Sequence, residues 1–553
     1  MWQPLKEPVF RALWMAAFVS NIGSLMQDVG SAWLMTSLTK EPLMVALLQT
    51  ASNAPFFLLA LLAGTLADVI DRRKLLIIGQ WWMGIAALIL GIITLAGMAN
   101  PWSLLALTFL LGLGAAVTSP AWNALIPELV PREQLEQAIA LGSVGYNTAR
   151  GVGSAIGGIV VAAAGSGAVF MTNAVSFLGV LGVMYWWKRP AEADAHTTRE
   201  PLLGAMRAGM RFAQYSLGLR AVFVKTAIWA TGASAIWALL PLIAREKLHL
   251  DAIGYGLLLS AFGLGTLIGA FLMPRLRRDF SLEATSRCAM LLWMASMALM
   301  AWPVNFWLAF FYMTGLGIAW VIVNSCLNVG AQLSVPSWVR ARALALYILV
   351  FQGSVAIGSS IWGEIGNHTG LAKPLLFATL LLGVGQIAGA RYHLGVVENF
   401  DTTPSGHWKD PSVVNEPTPE QGPVLVTVEY TIDPARGTEF TKAIAKLGLQ
   451  RKRDGAYQWH IFTDLSQPSR YVETFMIETW GEHVRQHERV MNADVAAEQM
   501  VDSFHVGDKP IIVRHMISSF AVTPPSPMPP SPVVPPGTAD LTELTEVKTE
   551  TNP

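Results

Sequence analysis

Two charged residues lie inside long apolar stretches of this sequence, Asp28 in QDVGSAW and Arg150 in YNTARGVG. Charge is costly in apolar surroundings, so each residue is a functional candidate. Burial of a lone carboxylate disfavours its charged form, and a reversible proton carrier needs such a group. Arg150 can pair with Asp28 or bind an anionic group of a ligand. The sequence therefore indicates proton coupling at Asp28 and Arg150, with a structural hydrogen bond and a structural ion pair as the alternatives.

Neutral polar side chains and tryptophans are scattered through the same apolar stretches. Amides can hydrogen-bond a solute and indole rings can pack against it, so together they are typical of a cavity for a bulky amphipathic molecule. The expected cavity residues are Gln27, Asn53, Asn123, Asn147, Asn328 and Gln352, with Asn173 and Asn324 as further candidates and aromatic surface from Trp33, Trp229, Trp237 and Trp320. The alternatives are interhelical hydrogen bonding for any one amide and anchoring at a membrane interface for any one tryptophan.

A charged turn, GTLADVIDRRKLL (64–76), follows one apolar stretch and leads into the next. Its opposite charges form a cluster that can assemble in one conformation and break in another, as a gate requires. The expected gate residues are Gly64, Asp68, Asp71, Arg72, Arg73 and Lys74, with a half-copy at Gly269, Arg277 and Arg278. Met273 takes the place of Asp68 in the half-copy, so a switch through that carboxylate is one-sided. The alternative for the basic triplet is a signal that sets membrane orientation.

The elements that must position these residues are membrane-spanning helices. The chain is 53% hydrophobic and 14% charged, whereas soluble domains are roughly 25% charged, so a soluble globular fold is excluded. Twelve spans are expected near 12–37, 43–67, 75–97, 103–126, 137–164, 168–187, 219–243, 253–274, 284–303, 306–334, 342–365 and 374–395. The formal net charge of zero argues against a nucleic-acid partner. Cys288 and Cys326 lie in apolar segments and indicate neither a disulfide nor a metal site.

Charge distribution and an internal repeat set the expected orientation and lobes. Nineteen lysines and arginines fall in the loops on one side of the expected spans and four on the other. Because positive charge marks the cytoplasmic side, both termini are expected there. A shift of 205 residues aligns Gly64 with Gly269 and Asn123 with Asn328. We therefore expect two parallel six-helix lobes, at 10–190 and 218–396, joined by a cytoplasmic loop at 191–217.

With these motifs in view, the chain resembles transporters of the major facilitator superfamily. GTLADVIDRRK is similar to the loop signature that this superfamily carries between spans two and three. Within the superfamily, the segments at 14–39, 146–158 and 480–490 resemble the group of the enterobactin exporter and the transmembrane secretion effectors. The resemblance implies a two-lobed, alternating-access carrier, commonly proton-driven and often exporting, in which Asp68 pairs near Arg340 and Arg342. GSAIGG (153–158) departs from an exporter signature by having Ser154 in place of proline.

A small soluble domain is expected after the apolar stretches. Proline-rich polar sequence at 397–423 indicates a linker, a β-α-β-β-α-β pattern covers 424–520, and 521–553 has too little apolar content to fold. The pattern is that of a ferredoxin-like fold. The domain resembles the antibiotic-biosynthesis-monooxygenase type, which implies an enclosed pocket near Trp459, His460, His483 and His487. His483 and His487 have the spacing of a metal pair, but a solvated helix face is favoured because no third ligand can be predicted.

The predicted fold class is a mostly α membrane protein, with 12 transmembrane helices in two pseudo-symmetric six-helix bundles and a small C-terminal α+β domain. We expect a secondary-active transporter of the inner membrane that exports a small amphipathic molecule, such as a siderophore or a drug-like compound, in exchange for protons. The alternatives are an importer of small solutes, or a carrier fused to a cofactor-free oxygenase or sensor domain. The expected partners are the substrate, protons, the bilayer and a second copy bound through 424–520. No cofactor, metal or nucleic acid is expected, and no enzymatic activity; a monooxygenase reaction in 424–520 is the alternative to a dimerisation or regulatory role of that domain.

Overall fold

Long apolar helices make up most of this protein. The computed structural model describes residues 2–69, 71–187, 202–302, 304–389, 401–408, 411, 413–507 and 509–519, with side chains for all of these except 60–69, 202–206 and 208. Among the described residues, nine helices are long and apolar enough to cross a membrane. The chain is therefore a membrane protein. The predicted disordered tail at 521–553 lies outside the described residues.

The helices follow one another with short connections. They are α1 (Pro8–Leu38), α2 (Pro42–Val69), α3 (Arg72–Leu95), α4 (Pro101–Leu129), α5 (Leu135–Trp186), α6 (Leu202–Tyr215), α7 (Leu217–Leu242), α8 (Ala252–Asp279), α9 (Leu282–Met300), α10 (Phe306–Leu333), α11 (Arg340–Thr369) and α12 (Ala372–Ala388). α6 is the exception in character, because it has one apolar and one charged face and lies in the segment predicted as the central loop. 

α5 contains a reversal of the chain at Gly165. This residue has φ 80° and ψ 168°, a conformation that glycine adopts without the strain a side chain would bring. The expected spans at 137–164 and 168–187 lie on either side of it. α9 and α12 are shorter than the other apolar helices, so twelve as the number of spans stays a prediction.

The two halves of the membrane part repeat one packing pattern. α4 and α5 begin at Pro101 and Leu135, and α10 and α11 begin 205 residues later, at Phe306 and Arg340. In the first half α1 packs on α5 and α2 on α4; in the second half α7 packs on α11 and α8 on α10. We call α1–α5 the N-terminal lobe and α7–α12 the C-terminal lobe. They meet where α2 contacts α11 and α5 contacts α8.

The chain direction gives the helix bundle two distinct ends. The proximal end is the end of the bundle at which α1, α3, α7 and α11 begin. The distal end is the end at which these four helices finish. α6 connects the lobes at the proximal end because it precedes the start of α7 directly.

Glycines on two faces of α5 let it contact both lobes closely. On one face, a Cβ atom on Gly157 would lie 2.9 Å from Cα of Met26 in α1, so a side chain would overlap the backbone. On another face, a Cβ atom on Gly256 of α8 would lie 2.6 Å from the carbonyl oxygen of Ser154 and 3.0 Å from Cα of Gly158. Small residues allow such backbone contact between membrane helices. α5 is thus both a core helix of its lobe and part of the contact between lobes.

The C-terminal domain is a four-stranded antiparallel sheet covered by helices. Its strands are β1 (Val424–Thr431), β2 (Tyr457–Thr463), β3 (Arg470–Ile477) and β4 (Ile512–Ile517), arranged in the order β2-β3-β1-β4, and its helices are α13 (Gly437–Arg453), α14 (Trp480–Arg489) and α15 (Asn492–Asp502). Alternate residues of β1 from Val424 to Tyr430 are buried. Phe440 and Ile444 of α13 pack into the same core.

The second helix of the β-α-β-β-α-β pattern is predicted as one helix over 481–504, and this prediction is wrong because the structure has two helices there, α14 and α15. Val490, between them, is extended, with φ −63° and ψ 127°. The carbonyl oxygen of Val490 accepts a hydrogen bond of 2.9 Å from the backbone N–H of Ser405, and Met491 pairs with Pro404. Part of the predicted linker is therefore bound to the domain, and this distant segment is what divides the helix.

The close contact between α5 and α1 predicts a large effect of one methyl group. Alanine in a helix normally stabilises by about 0.5–1 kcal/mol over glycine, whereas overpacking a tight contact costs about 1–3 kcal/mol. Gly157→Ala should therefore lower the thermal unfolding midpoint of the protein in detergent. Gly142→Ala, in the same helix but with no atom within 4 Å of its Cβ position, should leave the midpoint unchanged or raise it. Equal midpoints for the two variants would contradict this packing.

Candidate functional site

A cavity of about 530 Å³ lies between the lobes in the proximal half of the helix bundle. The polar and aromatic residues that line it are Tyr146, Asn147 and Arg150 of α5, Trp320, Asn324, Ser325 and Asn328 of α10, and Tyr347, Phe351 and Gln352 of α11. α5 belongs to one lobe, and α10 and α11 belong to the other. The volume is within the range of about 300–1,000 Å³ that is typical of small-molecule sites.

Helical spacing brings the polar groups of the cavity together. Trp320, Asn324 and Asn328 are four residues apart, so they share one face of α10. The side-chain amide of Asn324 donates to the carbonyl oxygen of Trp320 at 2.8 Å, and the amide of Asn147 donates to that of Ser143 at 2.9 Å. These bonds to their own helices fix the amide orientations. Each amide can still offer its other polar groups to a ligand.

Half of the predicted cavity residues lie elsewhere. Asn147, Asn328 and Gln352 line the cavity, whereas Gln27 is buried and accepts a hydrogen bond of 2.5 Å from Asn173. Since this bond joins α1 to α5, it corresponds to the interhelical alternative. The Asn53 amide donates to the carbonyl oxygen of its own helix at residue 49 (2.7 Å), and Asn123 is exposed outside the cavity.

Three hydroxyl-bearing residues of the cavity, Tyr146, Ser325 and Tyr347, were not predicted. Tyr146 lies four residues before Arg150, and Ser325 lies three residues before Asn328, so each shares a helix face with a predicted residue. The signal that could have found them is this proximity to predicted residues on a shared helix face. Serine and tyrosine are also common at positions without a ligand, so residue type alone did not single them out.

Arg150 and Asp28 are near enough for their charges to interact, and Tyr255 is a further neighbour of Asp28. Asp28 is an exposed residue of α1. The guanidinium carbon of Arg150 lies 5.4 Å from the ring centre of Tyr146 and 5.6 Å from that of Phe262. Cation–π contacts of this kind stabilise a guanidinium outside bulk water. Arg150 thus lies between α5 of one lobe and α8 of the other, within electrostatic range of Asp28 in α1.

Trp320 connects the cavity to a cluster of indole rings in the C-terminal lobe. Its ring centre lies 5.6 Å from that of Trp237, 5.7 Å from that of Trp293 and 6.0 Å from that of Trp229. Trp229 is fully buried, so it supports the wall of the cavity and does not form its surface. Trp33, the fourth predicted tryptophan, lies at the distal end, where its ring is 5.3 Å from the guanidinium of Arg245.

The lobes are in contact at the distal end. The Arg245 guanidinium of the C-terminal lobe donates to the hydroxyls of Thr36 (3.1 Å) and Ser37 (2.8 Å) in the N-terminal lobe. Nearby, the backbone N–H of Leu43 donates to the side-chain oxygen of Asn367 at 3.2 Å. These bonds cross from one lobe to the other, so the two lobes are closed against each other on the side away from the cavity.

The predicted gate residues lie at the proximal end. Asp71 caps α3 by accepting from the backbone N–H of Lys74 at 2.9 Å, and Arg72 forms a salt bridge of 2.7 Å with Glu128 of α4. Arg73 donates to the carbonyl oxygen of Met184 at 2.7 Å. Gly64 and Asp68 lie in the part of α2 for which no side chains are described, so the pairing of Asp68 near Arg340 and Arg342 stays a prediction.

The half-copy of the charged turn lies at the same end in the C-terminal lobe. Gly269 packs against α10, where a Cβ atom would lie 2.9 Å from the carbonyl oxygen of Ile318. Arg278 pairs with Asp279 at 3.5 Å, and both side chains are exposed. Arg277 lies in the same last turn of α8 as Arg278. The two copies differ at one aligned position, since Arg73 bonds to α5 of its lobe whereas its counterpart Arg278 pairs with the adjacent Asp279.

The C-terminal domain contacts the proximal end through α14 and α13. Glu482 forms a salt bridge of 3.2 Å with Arg211 of α6, and the guanidinium of Arg489 lies 4.1 Å from the ring centre of Trp338 before α11. Burial raises the pKa of Glu482, but Arg489 and Arg485 lower it by more, so the net pKa is below its usual range. Glu482 is therefore charged at neutral pH and binds these arginines as an anion.

The prediction of a solvated face for His483 and His487 is wrong for His483. Only 1% of His483 is exposed, because its ring lies between the Trp480 ring of the same helix and His515 of β4. Burial, followed by the neighbouring His487 and His515, lowers the pKa of His483 to about 3, so its ring is neutral at pH 7. Burial also lowers the pKa of His515. Trp459 donates to Glu473 at 2.8 Å and His460 is exposed, so they lie apart from these three histidines.

Comparison with known proteins assigns the family. A family model described as "Transmembrane secretion effector" matches residues 1–523, and the chain therefore belongs to this family of major facilitator transporters. The family and the relatives are transporters, in agreement with the two lobes and the cavity between them.

Two curated relatives carry siderophore names. The chain is 26% identical over 168 residues to the staphyloferrin A transporter of Staphylococcus aureus, which covers 30% of this chain and 42% of that protein. It is 28% identical over 257 residues to the enterobactin exporter of Citrobacter koseri, which covers 46% of this chain and 60% of that protein. The chain thus spans about half the length of the curated relatives it matches.

Solved structures support the fold. A bacterial homologue of the human lysosomal transporter Spinster, in an inward-facing and occupied conformation, aligns with a TM-score of 0.57 and 14% identity over 71% of this chain and 98% of that chain. At this identity the likeness extends to the fold alone.

Accessibility of the cavity can be measured with introduced thiols. In a Cys288→Ser background, Ser325→Cys should react rapidly with a polar maleimide in detergent, since Ser325 lines the cavity. Ser359→Cys, the same substitution at a fully buried serine of α11, should react much more slowly. Cys326 is fully buried and should add little background. Equal labelling rates at positions 325 and 359 would contradict an accessible cavity.

Proposed function

We propose that this protein is a secondary-active exporter of the bacterial inner membrane, which carries a small amphipathic molecule outward in exchange for protons. The observation that carries the proposal is the cavity between the lobes, which combines one cation, several amides and aromatic rings below a closed distal end. A carrier that works by alternating access needs a site that both lobes share and an end at which they close. The rest of the proposal concerns the substrate, the proton and the direction.

The lining of the cavity favours a substrate with an aromatic or apolar body and an anionic group. Arg150 is the cation of the lining, and a guanidinium binds carboxylates and related anions through paired hydrogen bonds. Trp320 and Phe351 offer apolar ring surface, while Asn324 and Asn328 offer donors and acceptors. Siderophores of the kind named for two relatives combine polar groups with a bulky body, so a molecule of this class is our first candidate.

Asp28 and Arg150 supply a mechanism for coupling. When Asp28 is ionised, its charge stabilises the Arg150 guanidinium and competes with an anionic substrate for it. Protonation of Asp28 removes this competition. The proton and the substrate therefore both alter the net charge around Arg150, where the lobes meet. Exchange follows if one lobe arrangement favours protonated Asp28 and the other favours the substrate, because a ligand shifts an equilibrium only by its differential affinity.

The positive-inside rule orients the carrier. The loops rich in lysine and arginine lie at the proximal end, so we assign that end, both termini and the C-terminal domain to the cytoplasm. The cavity then lies on the cytoplasmic side, where an exporter collects its substrate. The basic turns at Arg72 and Arg278 lie at the same end, and we propose that they change partners when this end closes.

We assign the C-terminal domain a regulatory or dimerising role. Its contacts with α6 and Trp338 reach the segment that joins the lobes and the start of α11, so the position of the domain can influence closure of the proximal end. β4 is an edge strand with exposed Ile512, Val513 and Met516. Exposed apolar edges favour pairing, here with the β4 strand of a second copy.

Transport in everted vesicles tests the proposal. The compound is first identified as one that a deletion strain retains and its parent secretes, with enterobactin and staphyloferrin A as initial probes. An imposed proton gradient, acidic inside, should drive uptake of the compound. Asp28→Asn should reduce gradient-driven uptake to the level of vesicles without the protein, because the exchangeable proton is lost.

A matched control separates coupling from folding. Glu364→Gln removes an exposed carboxylate at the distal end, which pairs with His368 at 2.9 Å, and it should leave uptake unchanged. Full gradient-driven uptake by Asp28→Asn would remove the coupling proposal. Movement of the compound only out of the everted vesicles would instead favour an importer.

A further inference from the structure

Three histidines of the C-terminal domain, of which His483 is buried and the other two are half-buried, converge at one point. His483 and His487 lie one turn apart on α14, and His515 comes from β4, about thirty residues further along the chain. One ring nitrogen from each can be chosen so that all lie within 4.8 Å of one another. The ring centres of His487 and His515 each lie 4.8 Å from the ring centre of His483. The sheet thus supplies the third ligand that the helix spacing lacks.

Within the described residues, buried polar atoms of His483 and of the neighbouring Gln486 make no hydrogen bond of good geometry. These atoms are both ring nitrogens of His483 and both polar atoms of the Gln486 amide. Gln486 is fully buried one position before His487. Buried polar groups without partners are uncommon, and an unseen ion or water is a usual reason for them.

Aromatic side chains enclose the cluster. The Trp408 ring centre lies 4.9 Å from that of His487, and the Trp480 ring centre lies 5.5 Å from that of His483. These rings restrict access of water to the histidines and limit the directions in which their side chains can turn. Such a shell fixes ligand orientation at metal sites.

We propose that His483, His487 and His515 form a binding site for a divalent first-row transition metal ion such as Zn²⁺. Imidazole nitrogen ligands favour zinc, copper, nickel and iron, whereas Mg²⁺ and Ca²⁺ prefer oxygen. Histidines four residues apart on a helix are a common zinc-ligand pair. Zn–N bonds of about 2.0–2.1 Å place ligand nitrogens roughly 3.3 Å apart. Small rotations of the rings would bring the three nitrogens from their present separation to this value.

The proposed ion can bind a fourth ligand in addition to the three histidines. Three neutral imidazoles leave one position of a tetrahedral ion, which the Gln486 carbonyl oxygen or a water molecule can occupy. The site also lies on the helix that binds the membrane part, since α14 carries Glu482 and Arg489. A bound ion would join this helix to β4 through His515. The inference is independent of the proposed transport function.

Metal binding by the full-length protein tests the inference directly. The chain is purified in detergent with an affinity tag that contains no histidine, stripped with a chelator and titrated with Co²⁺ and then Zn²⁺. We expect one equivalent of Co²⁺ to give the visible absorption of a nitrogen-ligated ion and Zn²⁺ to displace it. We also expect Zn²⁺ to slow hydrogen exchange in residues 480–489 and 512–517, because the ion joins them.

Variants identify the ligands. His515→Gln, and separately His483→Gln, should weaken Co²⁺ binding at least tenfold, while His460→Gln, which changes an exposed histidine outside the cluster, should not. The wild-type titration decides the matter if a variant fails to fold. Absence of stoichiometric Co²⁺ and Zn²⁺ binding by wild-type protein would overturn the proposal, as would undiminished binding by a folded His483→Gln, His487→Gln, His515→Gln triple variant.

Discussion

Placing a charged group among membrane-spanning helices costs free energy, and this cost determines where the charged residues of this structure lie. Lys225 of α7 donates to Glu283 of α9 at 2.6 Å, so this charge is paired within its lobe. Arg245 instead bonds to hydroxyls of the other lobe, and Arg150 lies in the cavity beside aromatic rings. These three charges are thus either paired inside a lobe or placed where the lobes meet. In the proposed mechanism, movement of the lobes changes the partners of Arg245 and Arg150 at their interface and keeps both charges away from lipid.

Much of the membrane fold follows from local pattern, and its departures arise from distant contacts. Apolar length predicts the helices, and the 205-residue repeat agrees with the starts of α10 and α11. The sequence predicts a loop where α6 lies, since this short segment is not apolar enough to indicate a membrane helix. The break between α14 and α15 was missed because it depends on pairing of Val490 and Met491 with residues 404–405, far away in sequence.

The functional residues divide in the same way. Asn328 and Gln352 were found because an amide in an apolar helix is conspicuous, but Gln27 has the same signature and serves helix packing. Sequence cannot separate these roles, since both place an amide inside the bundle and only neighbouring helices differ. His515 carried no signal at all, because the strand order of the sheet brings it to α14.

The most direct measurement of alternating access is of the distances between lobes. Spin labels at Lys40 and His368 report the distal end, and labels at Val144 and Ile348 report the proximal half; all four side chains are exposed. Alternating access coupled to Asp28 predicts that lowering the pH lengthens one distance while it shortens the other, and that Asp28→Asn abolishes this response. Distances that change together, or a response that survives in Asp28→Asn, would contradict the proposed carrier mechanism.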